Sequence, residues 1–251
     1  MSIIISNVPG NASTQFSSLL QDKNLMFVSR KEAGRKLGRA LGKYQWQGPL
    51  VLAIPPGGVE IGLEVAEYLG VDLSVIVSSP LSLPDDPGTN FGAIAEDGST
   101  YLHVSLVRTL APELVKVIKG EQLREIQRRA EVLRGGRELP GMSDRIVIVV
   151  SDGVVGGETM KAALLLCRKK YPAKIIVAVP VLWKKTKEEI EWMSDEVISL
   201  HNPESFQDVA KAYGHGPFFS EDGVLDMPAQ WESRRGGESR DAAERGEQNG
   251  K

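Results

Sequence analysis

The stretch "VVSDGVVGGETM", residues 149–160, decides how the rest of the sequence is interpreted. Its first two residues end an apolar run, and they are followed by an acid, a glycine-rich turn and the start of a helical pattern. Glycines allow the backbone to turn tightly and to expose its N–H groups, while the first turn of a helix carries partial positive charge. The stretch therefore predicts a strand-to-helix turn that binds a phosphate group.

The donors of this predicted turn are its backbone amides. Residues 155–159 offer five amides around one hollow, and the hydroxyl of Thr159 adds a further donor. The carboxylate of Asp152 would accept hydrogen bonds from a sugar diol, or would hold a metal through water. The turn is not a Walker loop, because Glu158 stands directly before Thr159 where that loop requires lysine. A plain turn, with Thr159 as a capping residue and no ligand, is the alternative.

Short apolar strands alternate with helices along most of the chain. Such alternation predicts an α/β fold with a parallel sheet covered on both faces. The predicted strands are 49–55, 73–77, 145–150, 173–182 and 196–200, and the predicted helices include 30–44, 59–70, 112–133, 157–171 and 184–193. Parallel sheets bind ligands at the carboxyl ends of their strands. This rule selects the turn described above and a second loop, "PPGG", residues 55–58.

The second loop repeats the glycine-rich theme. Gly57 and Gly58 free the backbone just before a helix, and Pro55 and Pro56 precede them. A bond between any residue and proline costs only about 1 kcal/mol to hold in the cis form. We predict a cis Pro55–Pro56 bond, which would turn two amides to one side of the loop. A plain helix-start turn is the alternative.

The remaining segments frame this predicted domain, which spans residues 25–228. An insertion at about 79–140 contains a predicted hairpin around Asp97-Gly98 and the helix 112–133. Residues 1–24 form an irregular lead-in, and residues 229–251 have the mixed charge and low apolar content of a disordered tail.

Composition restricts the classes of function. The 251 residues carry a formal net charge of −3, so nucleic-acid binding through a basic surface is not expected. The single cysteine, Cys167, excludes an intrachain disulfide, and it lies in an apolar helical stretch that predicts a core position. No apolar run reaches the roughly 20 residues that span a bilayer, and no basic region precedes the N-terminal apolar run. A cytoplasmic protein without a membrane partner is expected.

The residues quoted above resemble the type I phosphoribosyltransferases, in particular a branch of small phosphoribosyltransferase-domain proteins. The signature of that branch reads Asp-Asp-Gly, two small residues, then Thr-Gly-x-Thr-Met, and residues 151–160 follow it. "FVSRKEAGRKLG" (27–38), "AIPPGGVEIG" (53–62) and "GTNFGAIAEDG" (88–98) look like its opening helix, its pyrophosphate loop and its hairpin. The resemblance covers roughly residues 25–224, and it implies a Rossmann-like parallel sheet with a small hood.

The resemblance also implies a ligand, 5-phosphoribosyl-1-pyrophosphate with Mg²⁺. The implied contacts to the 5′-phosphate and ribose are Asp152, Gly153, Val155, Gly156, Gly157, Glu158 and Thr159. The implied contacts to the pyrophosphate are Pro55, Pro56, Gly57 and Gly58. No residue is expected to bind a metal directly, although Asp152 would reach one through water. The family also implies a homodimer.

The sequence departs from the family at the expected site of chemistry. Ser151 replaces the first aspartate of the signature, Gly156 replaces a threonine whose hydroxyl faces the phosphate, and Glu158 replaces a small neutral residue. Two hypotheses therefore remain. The chain is either an enzyme that transfers a phosphoribosyl group to a nitrogenous base, or a weakened member that binds a nucleotide or sugar phosphate in a regulatory role.

Positive charge near the expected pyrophosphate is also reduced. Pro56 replaces an arginine, and Ser79-Pro80 replaces an Arg-Lys pair in a predicted loop. Other basic residues are candidates to compensate, namely Arg30, Lys31 and Arg108. We expect these three to lie on the surface, because isolated charges usually do.

Overall fold

The computed structural model describes residues 25–205 and 208–214. The strands are β1 (Leu50–Ala53), β2 (Leu73–Val75), β3 (Ser78–Leu83), β4 (Asp86–Ala95), β5 (Thr100–Leu102), β6 (Ile146–Val150), β7 (Lys174–Val181) and β8 (Glu196–His201). The helices are α1 (Arg30–Ala40), α2 (Gly57–Leu69), α3 (Val104–Val107), α4 (Pro112–Leu133), α5 (Glu158–Lys169) and α6 (Lys184–Met193). Two 3₁₀ segments, Gly42–Gln47 and Val209–Ala212, complete the described elements.

Five parallel strands form the central sheet, in the order β2-β1-β6-β7-β8. Strand β6 shows why both faces are covered. Its residues Val147 and Val149 pack with α5 on one face, and Ile148 and Val150 pack with α1 and α2 on the other. Continuous apolar runs are typical of strands buried on both faces. The predicted α/β class, a Rossmann-like parallel sheet flanked by helices, is confirmed.

A second, antiparallel sheet in the order β3-β4-β5 forms the hood. The predicted hairpin around Asp97-Gly98 is confirmed, since Gly98 has a φ of 86° in the turn between β4 and β5. The predicted loop containing Ser79-Pro80 is wrong, because both residues lie inside β3 and pair with β4. Strand β3 is at the edge of its sheet, and an edge position tolerates proline.

Helix α4 packs on the hood. Its bounds are those predicted, with Pro112 in the first turn and Gly135 and Gly136 in the left-handed region after its end. Ile118, Ile126, Ala130 and Leu133 are buried in the cluster that also contains residues of β3 and β4. Leu114 and Val117, which have the same helical spacing, remain exposed.

Other sequence-based expectations have mixed outcomes. Cys167 is fully buried, as predicted, and burial raises the pKa of its thiol to about 12. None of the helices described is long and apolar enough to cross a membrane. The lead-in 1–24 and the tail 229–251 lie outside the described residues.

Candidate functional site

The two glycine-rich loops meet at one edge of the central sheet. Strands β1 and β6 are parallel neighbours, so their carboxyl ends lie side by side, with Ala53 paired to Val150. The amide of Ile54 donates a hydrogen bond to the carbonyl of Val150 at 2.8 Å. The Pro55–Pro56 bond is cis, which confirms that prediction.

Glycine is required where the loops touch. A Cβ on Gly57 would collide with a carboxylate oxygen of Asp152. A Cβ on Gly58 would lie 2.9 Å from the carbonyl oxygen of Val150 and 3.0 Å from the Cα of Ser151. The absence of these two side chains therefore allows the loop 55–58 to pack directly against the acidic turn.

Arg30 holds the carboxylate of Asp152. Its Nε and Nη2 atoms each lie 2.9 Å from Oδ2 of Asp152, and the two side chains are only 5% and 18% exposed. The expectation that Arg30 lies on the surface is wrong, whereas Lys31 and Arg108 are exposed. Arg30 is the first residue of α1, where the hydroxyl of Ser29 accepts a hydrogen bond from the amide of Glu32. This cap fixes the start of the helix that carries the guanidinium.

Tyr213 contacts both residues of this ion pair. The guanidinium of Arg30 lies 4.6 Å from the centre of its ring, and its hydroxyl donates a hydrogen bond to the backbone carbonyl of Asp152. Burial raises the pKa of the Asp152 carboxyl, and the charge of Arg30 opposes that rise. Burial likewise raises the pKa of Tyr213 and of nearby Glu60. The charge of Arg30 thus offsets part of the cost of burying this carboxylate.

Ser151 does not replace the lost acid chemically. Its hydroxyl donates a hydrogen bond to the carbonyl of Gly153 at 3.2 Å and stabilises the turn locally. Within residues 25–205 and 208–214, no three side chains of His, Cys, Asp or Glu are grouped to hold a metal ion. The turn therefore presents the carboxylate of Asp152 without the acid partner that the resemblance implies.

The glycine-rich turn is held in place by contacts with α6 and with the end of β7. Gly157 has a φ of 83°, and a Cβ on it would lie 2.7 Å from the methyl group of Thr186. The buried hydroxyl of Thr186 donates a hydrogen bond to the carbonyl of Val155, and Val154 bonds through its backbone to Val181 and Trp183. In the described part of the chain, no acceptor contacts the amides of residues 155–159. The turn is rigidly held while its amides remain available as donors.

The side chain of Glu158 lies over this turn. Its carboxylate packs against Gly156, where a Cβ on the glycine would be 2.6 Å from Oε1. Oε1 also lies 3.0 Å from Nε2 of His103, which follows β5 in the hood. Thr159 is partly buried in the first turn of α5. The sequence gives no signal for His103, because 55 residues separate it from Glu158.

A buried lysine contacts the backbone of the glycine-rich turn. Lys161 is 1% exposed, and its Nζ lies 3.4 Å from the carbonyl of Gly156 and from the hydroxyl of Tyr101. It is also paired with Glu189 and lies 4.5 Å from the centre of the Tyr101 ring. Helical spacing alone does not distinguish this lysine from the exposed ones, so the sequence analysis missed it.

Thr186→Val is expected to lower the free energy of unfolding by about 1–3 kcal/mol, because it leaves the carbonyl of Val155 without its donor. The substitution preserves the volume and the methyl contact to Gly157. Chemical denaturation of both proteins measures the loss. Thr109→Val, at an exposed position between α3 and α4, is the control and should change stability by less than about 0.5 kcal/mol. An equally small effect of Thr186→Val would contradict the role assigned to its hydroxyl.

Comparison with known proteins adds an independent line of evidence. Residues 28–214 match the family described as phosphoribosyl transferase domain. Two Mycobacterium tuberculosis proteins, each named "Putative phosphoribosyl transferase", are 35% identical to the chain over 202 residues. The match covers 80% of this chain but 46% of each relative, so the chain spans about half the length of these curated relatives.

A solved structure shows the same fold. The crystal structure of the protein TT1426 from Thermus thermophilus is similar with a TM-score of 0.70 and 30% sequence identity. The similarity covers 82% of this chain and 99% of that one. The family match spans both glycine-rich loops, α1 and Tyr213, and includes the hood. The chain belongs to the phosphoribosyl transferase domain family.

Proposed function

We propose that the chain binds 5-phosphoribosyl-1-pyrophosphate, or a closely related ribose phosphate, where the two glycine-rich loops meet. The observation that carries the proposal is the turn 155–159, whose amides have no acceptor among the described residues. Amides at a helix N-terminus favour a phosphate group through hydrogen bonding and through the helix dipole. Family membership supports the same class of ligand.

Each part of the ligand has a proposed partner. The 5′-phosphate would accept hydrogen bonds from the amides of residues 155–159 in the turn 153–159, and the ribose hydroxyls would donate to Asp152. The pyrophosphate would meet the backbone of residues 55–58, which packs directly against Asp152. Arg30 pairs with that carboxylate and favours its charged form against the effect of burial, and the carboxylate oxygens are hydrogen-bond acceptors.

Magnesium is proposed only as part of the ligand. Mg²⁺ in proteins is commonly held by one or two carboxylates together with substrate phosphates. Asp152 supplies one carboxylate, but Arg30 occupies its Oδ2, and Ser151 contributes no charge. Among the described residues, no group of side chains forms a resident metal site, so any Mg²⁺ would arrive bound to the pyrophosphate.

A second candidate function is binding without transfer. Departure of pyrophosphate requires positive charge around it. Pro56 and the pair Ser79-Pro80 stand where the resemblance places cations, and Ser79-Pro80 are strand residues of the hood. This loss of charge favours a weakened member with a regulatory, nucleotide-binding role over an active phosphoribosyltransferase.

Two measurements separate the candidates. Calorimetry of the full chain with phosphoribosyl pyrophosphate and Mg²⁺ tests binding, and pyrophosphate release over a panel of nitrogenous bases tests transfer. Release with any base supports the enzyme, and binding without release supports the regulatory role. The absence of any binding heat at millimolar ligand would contradict the proposal.

Restoring family residues is expected to strengthen binding. The double variant Ser151→Asp, Pro56→Arg should bind phosphoribosyl pyrophosphate with Mg²⁺ at least about tenfold more tightly, since each charge-assisted hydrogen bond contributes about 1.5–3 kcal/mol. Pro172→Arg, in the turn before β7 at the amino-terminal ends of the parallel strands, is the control for the added arginine. If the double variant and the control bind alike, the ligand does not lie between these loops.

A further inference from the structure

Two unusual residues of the turn are coupled in space. Gly156 and Glu158 are both departures from the signature that the sequence resembles, and the carboxylate of Glu158 packs on Gly156. A Cβ at position 156 would overlap that carboxylate. The glycine therefore makes the room that the glutamate fills, and the two departures have one structural explanation.

The carboxylate lies in the space of a phosphate-facing group. The resemblance implies that the side chain at position 156 faces the 5′-phosphate, and in this chain Oε1 and Oε2 of Glu158 occupy the region into which that side chain would project. His103 holds the carboxylate there through Nε2 at 3.0 Å, from the opposite side in the hood. The pair is sheltered, with Glu158 20% and His103 31% exposed.

An internal anion at this position competes with an external one. Glu158 is the first residue of α5, so its charge is favoured by the same helix dipole that would favour a phosphate. A phosphomonoester carries close to two negative charges at neutral pH. Two such anions cannot share one turn without strong repulsion, because little water separates them.

We propose that Glu158 determines the anion selectivity of the turn: its carboxylate, held by His103 against Gly156, must turn away before a 5′-phosphate can bind. This inference rests on the proposed function, since it assigns a role to a residue of the same turn. It makes Glu158 a specificity-determining residue that weakens the binding of phosphomonoesters.

The test is calorimetry of the full chain with two probes. Ribose 5-phosphate carries the phosphate group, and ribose is the matched probe that lacks it. Glu158→Ala is expected to bind ribose 5-phosphate about tenfold or more tightly than the parent protein, and to bind ribose equally. Glu158→Gln keeps the volume and removes the charge, so it should show a smaller gain. Gly156→Ala keeps the charge but displaces it, and it should also tighten binding. Glu188→Ala, on the exposed face of α6, controls for net charge.

The outcomes distinguish this inference from the proposed function. If the parent binds phosphoribosyl pyrophosphate and Glu158→Ala binds ribose 5-phosphate no more tightly, the function stands and the inference is overturned. If only Glu158→Ala and Gly156→Ala bind the sugar phosphate, the inference stands and the parent has another ligand. If no variant binds, both are overturned. Thermal unfolding confirms that each variant is folded.

Discussion

Arg30→Met is expected to lower the free energy of unfolding by about 3–5 kcal/mol at neutral pH, the cost of removing one partner of a buried ion pair. Arg30 and Asp152 are 5% and 18% exposed, and the guanidinium contacts the carboxylate through both Nε and Nη2. Its loss leaves the buried carboxyl of Asp152 without its cationic partner. Chemical denaturation at pH 7 measures the effect.

The loss should depend on pH in a defined direction. Burial raises the pKa of Asp152 in the folded protein, and removal of Arg30 removes the main opposing influence. A raised folded-state pKa means that the folded state binds the proton more tightly than the unfolded state, so this group destabilises the fold as the pH rises through that pKa. The difference in stability between Arg30→Met and the parent is therefore largest at neutral pH, and it shrinks as the pH falls towards the ordinary range of an aspartate.

Two controls make this prediction specific. Lys31→Met removes a neighbouring but exposed charge on α1 and should change stability by less than about 1 kcal/mol. The double variant Arg30→Met, Asp152→Asn should recover part of the loss, because no buried charge remains. Equal effects of Arg30→Met and Lys31→Met, or a loss that does not vary with pH, would contradict the assigned ion pair.

Gly57→Ala is expected to destabilise the fold by about 1–3 kcal/mol and to abolish the proposed ligand binding, because the new methyl group enters a filled space. A Cβ at this position would overlap Oδ2 of Asp152 and lie 2.9 Å from Nε of Arg30. The two loops would have to separate to admit it. Denaturation measures the first effect, and calorimetry with phosphoribosyl pyrophosphate measures the second.

Gly141→Ala is the matched control. Among the described residues other than its two chain neighbours, no heavy atom lies within 4 Å of a Cβ at that position, and its backbone is not left-handed. The control should be neutral or slightly stabilising, since alanine restricts the unfolded chain. If Gly57→Ala behaves like Gly141→Ala in both measurements, the close approach of the loops does not matter for stability or binding.

The sequence predicted the fold well where a regular pattern repeats. The strands of the central sheet are short β-branched runs, and α4 and α6 carry helical periodicity, so their bounds agree with the structure. Strand β3 and the start of β4 were missed because prolines interrupt both, and edge pairing is not visible in one segment alone. The exposed Leu114 shows that spacing identifies a face without identifying what covers it.

The candidate site was also predicted only in part from the sequence. The turn and the "PPGG" loop were identified because their chemistry is local: glycines, a preceding strand and a following helix. The side chains that contact the turn were not identified as its partners, because they are distant in the sequence and residues of these types are usually found on the surface. Arg30 is 122 residues from Asp152, and His103 is 55 from Glu158. Only the folded chain brings these side chains together, and only there do Gly156 and Glu158 form one feature.

The amides of residues 155–159, beside Asp152, are proposed to bind a ribose phosphate. The most direct test is the titration of the ¹⁵N-labelled full chain with phosphoribosyl pyrophosphate and Mg²⁺, observed through the backbone amides. We predict saturable chemical-shift changes at Gly153, Gly156 and Gly157, with Gly48 and Gly70 at the far side of the domain unchanged. Saturation of binding with the three loop glycines unmoved would contradict the account.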